Sequence, residues 1–158
     1  ASQVWAVLIG INVYLSSNCT PLQGCMNDVE KMVEFFVNNL GMSEGHIQCL
    51  LTVTSPICIH IIDTLLSLST RHEIQHGDNI IIYFAGHGSS YKCSDYYIEG
   101  GTSAEGYIEA LCPMDRTTSC TDSSTNSSIP DISDREINTI LTEISCTKGH
   151  HITFILDC

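Results

Sequence analysis

At 158 residues the chain amounts to about one domain, long enough to bury a substantial core. Its 6 basic and 18 acidic residues leave a formal net charge of −12, which argues against a nucleic-acid or anionic-membrane partner and suits a cationic substrate or peptide. No apolar run reaches the length of a membrane span, no basic segment of a signal peptide opens the chain, and the 9 cysteines contain no Cys-x-x-Cys pair; they read as reduced, mostly buried thiols of a cytoplasmic protein.

Residues 4–11 (Val-Trp-Ala-Val-Leu-Ile-Gly-Ile) predict a first strand buried on both faces. The chain begins without a methionine and reads as an excised or truncated piece. A loop over 12–24 leads to a helix over 25–40, with Met26, Val29, Val33, Phe36 and Leu40 on one stripe and Gly41 as its stop. A second strand is expected over 47–53. Thr54 or Ser55 is expected to cap a second helix, with Pro56 at its first position. That helix, running to about Arg71, is apolar nearly all round and should be well covered.

The most informative stretch follows. Ile80 to Phe84 are five large apolar residues in a row, the pattern of a strand inside a parallel sheet, and the run stops at Ala85-Gly86-His87-Gly88. A histidine between two glycines therefore stands at the carboxyl end of a central strand, where open α/β sheets place their chemistry. Residues 89–106 read as a loop or small hairpin and 107–112 as a short strand, and the Ser/Thr-rich stretch 117–131 reads as a flexible or cleavable loop. Ser133 with Glu136 forms a capping box for a third helix, whose stripe is Ile137, Ile140, Leu141 and Ile144. A last strand over 151–156 ends at Asp157-Cys158.

Strands alternating with helices imply an α/β fold: a three-layer α/β/α sandwich around a mostly parallel sheet, in one domain spanning residues 1–158. Gly86-His87-Gly88 and Asp157-Cys158 leave strands in the same sense, so they meet along one sheet edge. A cysteine and a histidine at adjacent strand ends are the parts of a thiol nucleophile and its general base. The oxyanion that forms needs backbone N–H donors, and Gly88 and the cysteine itself could each supply one. A buried thiol after a core strand is the competing reading. A flavodoxin-like nucleotide binder has the same alternation but needs a Gly-rich loop after the first strand, which is absent here.

Four segments resemble the caspase/metacaspase clan of cysteine peptidases. Ile81 to Gly88 resembles its histidine segment. Leu22-Gln23-Gly24-Cys25-Met26-Asn27-Asp28 resembles the metacaspase pattern L-x-G-C-x-N-D. Glu109 to Asp115 resembles E-A-L-x-P-x-D, and Ile152 to Asp157 resembles the strand before the nucleophile. The resemblance implies a caspase-like large-subunit region, C-terminally incomplete, whose sheet edge a missing small-subunit region would complete. It implies a Cys/His endopeptidase acting on proteins or peptides.

Caspases carry an arginine two residues before the glycine of the first segment to bind a substrate aspartate; Leu22 stands there. The resemblance instead makes Asp28 and Asp157 the carboxylates that bind substrate Arg or Lys. The family's nucleophile segment reads Asp-x-Cys-His-Ser-Gly. In one register Cys158 is the nucleophile; in the other it occupies the variable position and the nucleophile is the next residue. No cofactor is required. Calcium, which many metacaspases need, could draw on Asp95, Glu99, Glu105 and Glu109, although the family's dense Asp run is not reproduced. The alternative function is a non-catalytic, caspase-like binding or regulatory module.

Overall fold

The long apolar strands pair side by side in a computed structural model that describes residues 3–92, 106–117 and 129–158. Strands β1 (Val4–Gly10), β2 (Ile47–Leu51), β3 (Asn79–Ala85) and β7 (Ile152–Asp157) form a parallel sheet in the order β2-β1-β3-β7. The two central strands are the ones whose sequences are apolar without alternation, because both of their faces are covered. A second, antiparallel sheet of β4 (Gly88–Lys92), β5 (Tyr107–Leu111) and β6 (Ile132–Ser133) continues directly from the end of β3.

Helix α1 (Cys25–Asn38) covers one face of the parallel sheet, packing Cys25, Val29 and Phe36 on Ala6, Leu8, Tyr83 and Ala85. It approaches so closely that a Cβ on Gly10 would lie 2.9 Å from Val29 Cγ2 and 3.0 Å from the Cys25 carbonyl oxygen. Helices α2 (Cys58–Thr70) and α3 (Asp134–Lys148) cover the other face, burying Ile61, Leu65, Leu68, Ile137, Ile140 and Ile144 against Val7, Ile9, Ile80, Ile82 and Phe84. This is the three-layer α/β/α arrangement expected from the alternation. The Ser133–Glu136 capping box opens α3 as anticipated. At its other end, buried Lys148 donates from Nζ to the carbonyls of Arg71 (2.7 Å) and Ile74 (2.9 Å), tying α3 to the exit of α2.

Four local expectations fail. The second strand stops at Leu51 and gives way to a 3-10 turn over Thr52–Thr54, because Thr54 Oγ1 both accepts from the Leu51 amide and donates to its carbonyl. Neither Thr54 nor Ser55 caps α2: Ser55 takes a left-handed conformation (φ 56°) and the helix begins only at Cys58. Its cap comes from far along the chain, as the Cys58 amide donates to Asp115 Oδ1 at 2.8 Å. Helix α2 is also not covered all round, since Ile59 and Leu66 are exposed. Among the described cysteines all are free; Cys25 and Cys112 are buried, but Cys146 faces solvent, contrary to the buried reading. Residues 118–128 of the Ser/Thr-rich stretch lie outside the described residues, and no described helix is long and apolar enough to cross a membrane.

Candidate active site

Parallel pairing brings the two special strand ends together. Ala85 pairs with Asp157, and the Gly86 amide donates to the Asp157 carbonyl at 3.2 Å. His87 and Cys158 thus leave neighbouring strands at the carboxyl edge of the sheet.

His87 is half-buried and held at three points. Its amide donates to the Tyr14 hydroxyl at 2.7 Å, and its carbonyl accepts from the Cys112 amide at 3.0 Å. Its Nε2 lies 2.7 Å from the Thr20 carbonyl. A carbonyl only accepts, so in the neutral ring Nε2 carries the hydrogen and Nδ1 keeps its lone pair as the basic atom. The Tyr14 ring lies 5.1 Å from the imidazole, centroid to centroid. Burial, the largest influence on Tyr14, raises its phenol pKa well above the usual range, so the hydroxyl is neutral.

Gly88 opens β4 opposite Leu111. Because the Cys112 amide bonds to the His87 carbonyl, Gly88–Leu111 is a non-hydrogen-bonded pair of the antiparallel ladder, and the Gly88 amide points away from β5. On Gly88 a Cβ would sit 3.5 Å from Cys158 Cβ and 3.8 Å from its Sγ. Gly88 and Cys158 are therefore neighbours.

Side chains alternate along β7. Asp157 faces the α1 side, where its Oδ2 accepts from the Tyr83 hydroxyl at 2.8 Å. Cys158 follows Phe154 and Leu156 to the α3 side and lines an apolar cavity of about 490 Å³ with Leu111, Ile137 and Leu141. Partial burial and then the Asp157 charge push the Cys158 thiol up from its ordinary value, the reverse of what activates a nucleophile.

Asp28 sits in the first turn of α1, where its amide bonds to the Gly24 carbonyl at 2.9 Å, and its carboxylate lies at 4.0 Å from Lys31 Nζ. Asp28 and Asp157 act on the same two groups. Burial is the main cause raising the Cys25 thiol and the Tyr83 phenol, and the charges of both carboxylates add to it in each case. Asp157 bonds Tyr83 directly, while Asp28, at the start of α1, reaches the same phenol through its charge. Tyr83 escaped the sequence reading, although alternation along β3 puts it on the Asp157 side. Tyr14 and Thr20 lie in a loop without periodicity and gave no signal.

Among the described residues no group of three His, Cys, Asp or Glu side chains could hold a metal ion. Glu109 accepts from Ser90 Oγ at 3.2 Å, while Asp95, Glu99 and Glu105 lie outside the described residues.

A family model described as metacaspase, peptidase C14 domain, matches residues 5–158. Metacaspase-1 of Schizosaccharomyces pombe is 29% identical over 115 residues, covering 70% of this chain and 25% of that protein. Metacaspase-6 of Arabidopsis thaliana is 32% identical over 114 residues, 70% of this chain and 29% of that protein. Metacaspase III c of Phaeodactylum tricornutum is 31% identical over 113 residues, again 70% of this chain and 32% of that protein. The chain thus spans between a quarter and a third of these relatives. The crystal structure of a protein from Geobacter sulfurreducens superposes with a TM-score of 0.65 at 16% identity, over 98% of this chain and 48% of that one, a likeness of fold.

Proposed function

Because the chain belongs to the metacaspase family of peptidases, we propose that it carries the histidine half of a cysteine endopeptidase site that cleaves proteins or peptides after Arg or Lys. The observation that carries this reading is His87 at the sheet edge, its Nε2–H spent on the Thr20 carbonyl and its Nδ1 left as a base. In the reaction Nδ1 takes the proton of a cysteine thiol at the end of β7. The thiolate attacks the scissile carbonyl, and the oxyanion is met by the Gly88 amide and that of the nucleophile. The imidazolium returns its proton to the leaving amine, and water, deprotonated by the same imidazole, releases the acyl group and restores the thiol. Asp28 and Asp157 face the basic side chain of the substrate. The bond from Tyr83 to Asp157 and the reach of the Asp28 charge to the same phenol support that role, since carboxylates suit a guanidinium fork.

Of the two registers, the alternation along β7 favours the second. Cys158 turns to the α3 side, away from Asp157, and its thiol is pushed up, whereas the next position returns to the Asp157 side. Cys158 then fills the variable position, and the nucleophile is the residue after it. A small-subunit region beyond it would complete the sheet beside β7.

The test uses the protein extended to its natural C-terminus on Arg-, Lys- and Asp-ending peptide substrates, with and without calcium. Turnover of the basic substrates is expected, abolished by His87→Ala and retained within a few-fold by Cys158→Ser. Full activity in His87→Ala removes the base. Loss of activity in Cys158→Ser returns the nucleophile to that residue, and preference for the Asp substrate overturns the carboxylate pocket.

A further inference from the structure

A buried ion pair bonds to both segments that flank His87, outside the groups that the proposed reaction uses. Arg116 and Asp131 meet with Nε 2.7 Å from Oδ1 and Nη2 2.8 Å from Oδ2, and Asp131 is only 8% exposed. Burying two charges of this kind stabilises a fold little better than a well-packed apolar pair of the same volume. What distinguishes this pair is where its remaining bonds go. Asp131 Oδ2 also accepts from Ser89 Oγ at 2.6 Å and from the Tyr91 hydroxyl. Ser89 and Tyr91 are alternate residues of β4, the strand that leaves His87 through Gly88. On the other side, Arg116 Nη1 donates to Cys19 Sγ at 3.5 Å, and Cys19 precedes Thr20, whose carbonyl holds Nε2 of His87. The same segment fixes the loop a second time, since the Leu15 amide, next to Tyr14, donates to the Met114 carbonyl at 2.8 Å.

The geometry points to Arg116 and Asp131 as positioning residues for the catalytic histidine. The carboxylate holds the strand that carries His87 and Gly88, the guanidinium holds the loop that presents the Thr20 carbonyl, and the ion pair fixes the distance between them. This rests on His87 being the base. Without the pair, Thr20 and the ring drift relative to one another, the Nε2–H bond is no longer enforced, and the proton moves between the two ring nitrogens.

Two readouts in the protein extended to its natural C-terminus test this. Long-range proton–nitrogen NMR of the imidazole reports the tautomer and needs no substrate, so it stands even if the peptidase reading fails. Steady-state kinetics on the basic peptide reports the consequence for turnover. The decisive variant is Arg116→Met with Asp131→Leu, which removes both buried charges together and leaves neither unpaired. In it His87 is expected to pass from the Nε2–H form to a mixture, and kcat to fall about 10- to 100-fold with KM within about twofold, the usual scale for a misplaced catalytic group. A folded double variant with an unchanged tautomer and unchanged kcat overturns the assignment, as does a wild-type ring protonated on Nδ1. If that variant does not fold, Ser89→Ala with Tyr91→Phe keeps the ion pair but cuts its link to β4. The same change in tautomer is then expected, and its absence is equally fatal.

Discussion

Replacing Asp78 with Ala should strip stability from the fold while leaving the active site alone. Asp78 is 5% exposed at the amino edge of the sheet, between α2 and β3. It accepts three hydrogen bonds, from the Gln3 amide (2.8 Å), the Trp5 indole (3.0 Å) and the Gln75 amide (2.9 Å). A bond to a charged acceptor contributes about 1.5–3 kcal/mol, and a buried donor left without a partner costs a similar amount. Gln3 and Gln75 are both exposed and their amides recover water, so the loss falls mainly on the buried Trp5 indole. We expect a loss of about 3–5 kcal/mol, which at roughly 2–4 °C per kcal/mol for a domain of this size lowers the melting temperature by about 6–20 °C.

The strand itself insulates the site. The seven residues of β3 separate Asp78 from the Gly86–His87 turn, about 23 Å at a rise of ~3.3 Å per residue. At a temperature where the variant stays folded, kcat/KM should be unchanged. Burial alone would raise the Asp78 pKa, but the bonds from Gln3, Gln75 and Trp5 outweigh it and hold the carboxyl below its ordinary value. Its contribution to stability is therefore complete above an unfolded value of about 3.9 and is lost as the pH falls through the lower folded value. Melting curves from pH 7 down to about 2 should show the difference between wild type and Asp78→Ala shrinking only at the acid end. An unchanged melting temperature at pH 7, or a parallel loss of kcat/KM in the folded variant, refutes the reasoning.

Tyr14→Phe removes only the hydroxyl that accepts the His87 amide, from a ring that is 6% exposed, so no cavity opens; it should cost about 1–2 kcal/mol in urea unfolding without a change in m, and speed hydrogen exchange at the His87 amide. Asp115→Ala removes the cap of α2 and should cost about 1 kcal/mol, read by the same titration, with faster exchange confined to the first turn of the helix. Gly86→Ala puts a Cβ 2.9 Å from Phe84 Cζ and 3.0 Å from the Tyr14 hydroxyl; it should cost about 1–3 kcal/mol in melting experiments and lower turnover more than Tyr14→Phe does, because it also moves the backbone before His87.

The layers of this protein were legible in its residues. Continuous apolar runs at 4–9 and 80–85 suit the inside of a parallel sheet, and the stripes of α1 and α3 largely name the faces they bury, although Leu40, read as the end of the first stripe, lies beyond α1 and is exposed. The Ser133–Glu136 box is a contact between residues three apart, so spacing alone determined it. The carboxyl-edge position of His87 followed from the same strand logic.

What decided the rest was long-range contact, which periodicity does not encode. Asp115 caps a helix 57 residues earlier and displaces the local Thr54 and Ser55 from that role. Thr20, 67 residues before His87, selects which ring nitrogen is basic. Arg116 and Asp131 link β4 to the loop that holds Thr20. Each is a polar bond between segments distant in sequence, formed only once packing excludes the water that would otherwise satisfy those groups.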